Sequence, residues 1–170
     1  MKADDGMRTV TFSLRERLAV VPVELVQSWK MLLPAVALLI VLALIRGRMS
    51  PGPLAGALVV CIAAVLTGTV AVPVLLPFIP GRSFIFKGWL AGLAVAVLSA
   101  VVLKGGWMAA ASLVFLVPAV SAYLALNFTG ATPWTSLSGV RKEMRLGLPL
   151  IIASAALGCI FGIAELWRVA

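Results

Sequence analysis

Five apolar runs divide the chain, at 31–45, 54–79, 88–103, 107–126 and 147–164, and none contains a charged residue. A crossing helix needs roughly 20 residues, at about 1.5 Å each, to pass about 30 Å of hydrocarbon. The pattern predicts an all-α integral membrane protein with five transmembrane helices. The first and third runs are short, and they reach full length by starting near Leu25 and Phe84, with Lys30 and Lys87 extending to the headgroups. Between the third and fourth runs, Gly105 and Gly106 leave so little chain that those two helices are expected to form an antiparallel pair.

Ahead of the first run, the segment 12–29 (FSLRERLAVVPVELVQSW) mixes charges with apolar residues. Leu14, Leu18 and Val21 recur at helical spacing until Pro22 interrupts. Ser13 stands three residues before Glu16, the arrangement of a capping box. This reads as an interfacial amphipathic helix, so residues 1–30 form a linker and lead-in and 31–170 the transmembrane domain. A hinge to a cytoplasmic partner domain is the functional alternative for the same segment.

Composition agrees with the pattern. The chain is 62% hydrophobic and 12% charged, whereas soluble domains are near half apolar and a quarter charged. Its net charge of +8 would suggest nucleic acid in a soluble protein, but here the bases flank the apolar runs, where they meet anionic lipid. No nucleic-acid partner is expected. Ten bases (Lys2, Arg8, Arg15, Arg17, Lys30, Arg82, Lys87, Arg141, Lys142 and Arg145) fall on the face of the N-terminus, against four (Arg46, Arg48, Lys104 and Arg168) on the other. The positive-inside rule then places the protein in the cytoplasmic (inner) membrane with its N-terminus inside and its C-terminus outside. Asp4 and Asp5 acidify the start, so no cleavable signal is expected.

Chemistry is sparse. There is no histidine, and Cys61 and Cys159 lie far apart in sequence, which rules out thiolate–imidazole zinc sites and cysteine-bound iron–sulfur clusters within the chain. No Asp, Glu, His, Lys or Arg falls inside a run, so a proton-coupled carrier is not expected. Thr67, Thr69, Ser99, Ser112, Ser121, Tyr123 and Ser154 are polar positions that a helix can satisfy through its own carbonyls. Cys61 and Cys159 should sit at matching depths. If their helices are neighbours they could hold a soft thiophilic cation; otherwise they are small apolar packers. Gly88 with Gly92, and Gly158 with Gly162, form GxxxG pairs, which suit packing within the chain or self-association. Pro118 should kink the fourth span.

The polar segment 127–145 (NFTGATPWTSLSGVRKEMR) stands apart, read as a cytoplasmic loop over 127–146 with Ser138 capping a basic turn. Together with 11–26 (TFSLRERLAVVPVELV) it resembles the membrane domain of the corrinoid protein of microbial mercury methylation, HgcA. The resemblance implies a membrane anchor for a corrinoid-dependent methyltransferase. In that family a cytoplasmic corrinoid-binding domain precedes the spans, its methylcorrinoid donates a methyl group to Hg(II), and a ferredoxin with two four-iron clusters reduces the cobalt. The corrinoid domain and its cobalt-facing cysteine motif are absent from these 170 residues, so no catalytic residue and no cofactor ligand carries over. The corrinoid is expected on a partner, either an adjoining domain or a separate chain. Docking would fall to Asn127, Thr129, Gly130, Thr132, Thr135, Ser136, Ser138, Gly139, Arg141, Lys142 and Arg145. Two other readings remain: a conduit for a thiophilic metal with Cys61 and Cys159 as waypoints, and a structural subunit of a membrane complex.

Overall fold

The computed structural model describes residues 14–45, 51–81, 83–130 and 137–168. Its elements are α1 (Leu14–Ile45), α2 (Pro51–Leu66), a π-helical turn (Thr67–Ala71), α3 (Val72–Leu75), α4 (Phe84–Leu103), α5 (Trp107–Gly130) and α6 (Leu137–Arg168), with no strand among the described residues. Among the described residues, four stretches are long and apolar enough to cross a membrane: Gly52–Leu75, Phe84–Leu103, Trp107–Asn127 and Arg141–Arg168. Helix α5 is the hub, packed against α4, α6 and the π turn.

Small residues make that hub close. Gly88, Gly92 and Ala96 recur every fourth position on α4 and are buried. A β-carbon at Gly88 would stand 2.7 Å from the Ala125 Cβ, and one at Gly92 would stand 2.7 Å from the Pro118 Cα. On the other side of α5, a β-carbon at Gly158 would meet Leu116 at 2.5 Å and one at Gly162 would meet the Ser112 Oγ at 3.0 Å. Both GxxxG pairs are thus used within the chain. Lipid removes the hydrophobic drive between helices, so close backbone approach supplies the packing. The α4–α5 pair is antiparallel as expected, and the turn is closed by Lys104 in the left-handed conformation, its N–H donating to the Ala100 carbonyl at 3.2 Å.

The span serines correct one expectation. Thr67 and Thr69 do donate back to their own helix, to Ala63 O and Val65 O at 2.7 and 2.8 Å. Three serines instead donate across helices: Ser112 to Gly158 O and Ser154 to Phe115 O, each at 2.8 Å, and Ser121 to Ala64 O at 3.0 Å. Glycine and alanine at the crossings bring the neighbouring carbonyls near enough for a short hydroxyl to reach.

Prolines shape the far part of the second span. Pro73 has no N–H to offer Thr69 O, and just before it the helix widens so that the Val72 N–H donates to Thr67 O, five residues back. Helix then stops at Leu75, short of the expected 79, where Pro77 and Pro80 cannot continue the ladder. α5, by contrast, runs on through Pro118, which is fully buried.

Two boundaries differ from the sequence reading. α1 is one helix of 32 residues that passes through Pro22, so the lead-in and the first apolar run are continuous. The long loop is mostly helix: α5 extends to Gly130 and α6 begins at Leu137. Arg141 to Leu146 are strong helix formers, and Glu143 ties their helix to the bundle by accepting from the Phe84 N–H at 3.2 Å. Ser138 consequently lies inside α6 rather than at its cap.

Candidate functional site

The buried face of α1 repeats at seven-residue spacing. Arg17, Val21, Glu24 and Ser28 turn toward the bundle, while Leu14, Leu18, Val23, Val26 and Trp29 are exposed. Of the apolar trio Leu14, Leu18 and Val21 that recurs at helical spacing, only Val21 is buried against the bundle. In a lipid setting the apolar face loses nothing by pointing outward, and polar side chains gain by finding partners inside.

Arg17 is only 7% exposed, and its guanidinium donates to the carbonyls of Pro73 at 3.3 Å and Val74 at 2.9 Å. Those acceptors are available for stated reasons. Pro77 has no N–H for Pro73 O, and the Phe78 N–H bonds Leu75 O instead of Val74 O. The same logic places Lys87. Pro80 cannot serve Leu76 O, and the Lys87 ammonium, buried on α4, donates to it at 2.6 Å. Lys87 therefore closes a helix end rather than extending to the headgroups. Two cations thus meet the negative end of the second span's helix, and Glu143 meets the positive end of α4.

Glu24, about two turns beyond Arg17 on the same face of α1, has a different environment. It is 2% exposed, and no described residue hydrogen-bonds its carboxylate. A cavity of about 470 Å³ opens beside it, lined by Glu24, Gln27, Ser28, Lys30, Tyr123, Leu124 and Asn127. The Ser28 hydroxyl donates to Leu25 O at 2.8 Å, which leaves its oxygen facing the site as an acceptor. Burial pushes the Glu24 carboxyl above its ordinary value of 4.5. An acid raised in the fold costs stability as it ionises. The penalty is absent below the ordinary pKa and grows as pH rises through it to the raised value. A Glu24→Gln variant is therefore expected to match the native protein in thermal unfolding at pH 4 and to exceed it at pH 7 to 8. Parallel melting curves across that range would contradict the assignment.

The sequence-predicted docking residues fall at this same end of the bundle. Asn127, Thr129 and Gly130 close α5, and Ser138, Gly139, Arg141, Lys142 and Arg145 open α6. Thr132, Thr135 and Ser136 lie outside the described residues. Arg141, Lys142 and Arg145 are exposed, and Asn127 lines the Glu24 cavity. Cys61 is half-buried on α2 and Cys159 exposed on α6; both helices take α5 as a neighbour. No cluster of three or more metal-ligating side chains occurs among the described residues. The sequence reading did not single out Glu24, or the inward turn of Arg17. The available signal was the heptad-like spacing of Arg17 with Glu24 and of Val21 with Ser28.

An all-helical bundle whose apolar helices can cross a membrane, with buried charge gathered at one end, defines the class: a polytopic membrane protein. No protein-family model, curated protein or solved structure matches the chain.

Proposed function

We propose that the chain is the membrane module of a corrinoid-dependent methyltransferase, holding a cytoplasmic corrinoid domain at the inner membrane. Four crossings are those given above, and the 31–45 half of α1 makes the fifth. At 32 residues, α1 exceeds the roughly 20 needed to cross and has a stretch left for the headgroup layer. The N-terminus and the α5–α6 connection then face the cytoplasm and the C-terminus faces outward, in keeping with the excess of bases at that end.

One observation carries the docking role: Arg141, Lys142 and Arg145 are exposed on the first turns of α6, at the end of the segment 127–145 whose residues resemble the mercury-methylation family. Basic side chains beside a helix start favour an anionic partner, such as the phosphate-bearing tail of a corrinoid or an acidic protein face. The methyl acceptor implied by the resemblance is Hg(II), and reducing electrons would come from a ferredoxin. Reversing the three charges to glutamate is expected to weaken co-purification of a corrinoid domain at least tenfold in low salt, with a smaller difference at high salt. Equal recovery with native and reversed modules at both salts would remove the docking role.

A further inference from the structure

The Glu24 cavity is separate from the exposed basic turn, and its chemistry is ordered along α1. Glu24 sits buried at the end nearer the helix start, and Lys30, exposed, stands six residues on, about 9 Å along the axis. Beyond Lys30 and on its flank, turned roughly 140–180° around the helix from Glu24, Leu33, Ala37 and Ile40 are exposed and apolar, running in the direction of the 31–45 crossing. A carboxylate, then an ammonium, then an apolar stripe is the complement of a phospholipid read from its outer tip inward.

We propose that this cavity binds the headgroup of a primary-amine phospholipid, phosphatidylethanolamine, with its ammonium on Glu24, its phosphate on Lys30 and an acyl chain along Leu33, Ala37 and Ile40. A primary ammonium carries three donors. The Glu24 carboxylate, the Ser28 oxygen, and the Tyr123 or Asn127 side-chain oxygen are the acceptors the wall supplies. The lipid would also neutralise a carboxylate that no described residue bonds, which is the condition for keeping it charged at 2% exposure. A trimethylated ammonium has no N–H and would leave these acceptors unmatched. A phosphatidylglycerol would meet Lys30 but bring no cation to Glu24. The cavity is too small for a whole lipid, and the tails lie outside it.

The test is native mass spectrometry of the full chain released from nanodiscs of equal parts phosphatidylethanolamine, phosphatidylcholine and phosphatidylglycerol. The native protein is expected to retain phosphatidylethanolamine about tenfold over either competitor, since each bond to a charged group is strong once water is excluded. Glu24→Gln keeps the shape of the side chain and should bring the three lipids to within about twofold. Lys30→Ala should lower retention of phosphatidylethanolamine and phosphatidylglycerol together. Circular dichroism showing native helix content in both variants separates lost binding from lost folding. Equal retention of the three lipids by the native chain, or an amine preference that persists in Glu24→Gln, would overturn the proposal and leave Glu24 to a basic side chain of a protein partner. Because no corrinoid domain enters the experiment, its outcome is independent of the docking role.

Discussion

A Gly92→Val chain is expected to lose its folded bundle in mild detergent, shown by early thermal unfolding and aggregation on size exclusion. The reason is geometric. A β-carbon at position 92 would stand 2.7 Å from the Pro118 Cα and 2.9 Å from the Ser121 Cβ, and the nearer of these is backbone that cannot rotate aside. Valine adds two methyl groups beyond that carbon. Overpacking a close contact costs typically about 1–3 kcal/mol, and this substitution belongs at the upper end because α4 and α5 must separate to admit it. Separation also lengthens the Ser121 hydroxyl bond to Ala64 O, so the damage reaches the second span. Gly52→Ala is the control. Nothing lies within 4 Å of a β-carbon there, and a change within about 0.5 kcal/mol is expected. Equal stability of the two variants would show that the α4–α5 approach is not the close one described.

Arg17→Met should destabilise the bundle by about 2–3 kcal/mol, because it leaves the Pro73 and Val74 carbonyls buried without their charged donor. Methionine reproduces the apolar stem of the arginine and lacks its guanidinium, so the effect falls mainly on the lost donors. A double-mutant cycle sharpens the test. Pro77→Ala restores an N–H four residues beyond Pro73 O and lets the helix serve that acceptor itself. In the Pro77→Ala background, the cost of Arg17→Met should fall by about 1 kcal/mol. Additive costs in the cycle, read from chemical or thermal unfolding in detergent, would mean that Arg17 acts through something other than these carbonyls.

The sequence anticipated the bundle unevenly, and the pattern of success is physical. Run lengths marked five crossings, and four of them coincide with the described helices long and apolar enough to cross a membrane, because hydrocarbon thickness sets the number of residues a crossing needs. GxxxG spacing and the paired glycines at 105 and 106 announced the α4–α5 approach, since few other devices bring backbones together in lipid. The polar segment 127–145 was read as loop from its glycines, hydroxyls and proline. Helix nevertheless occupies both of its ends, because RKEMRL has strong propensity and Glu143 finds the α4 N-terminus, a partner 59 residues away. That long-range bond has no local signature.

Charge placement shows the same division. Which residues are basic, how many lie on each flank and where prolines break the hydrogen-bond ladder are properties of the chain alone, and they determine that this is a helical membrane protein whose second span ends in orphaned carbonyls. Only the tertiary structure decided who fills them: Arg17 from the lead-in and Lys87 from the next helix. It likewise turned the Arg17–Val21–Glu24–Ser28 face inward and left Leu14 and Leu18 outside. An amphipathic helix has two faces in its sequence, but which one is buried depends on the medium around the bundle and on the acceptors its neighbours leave open.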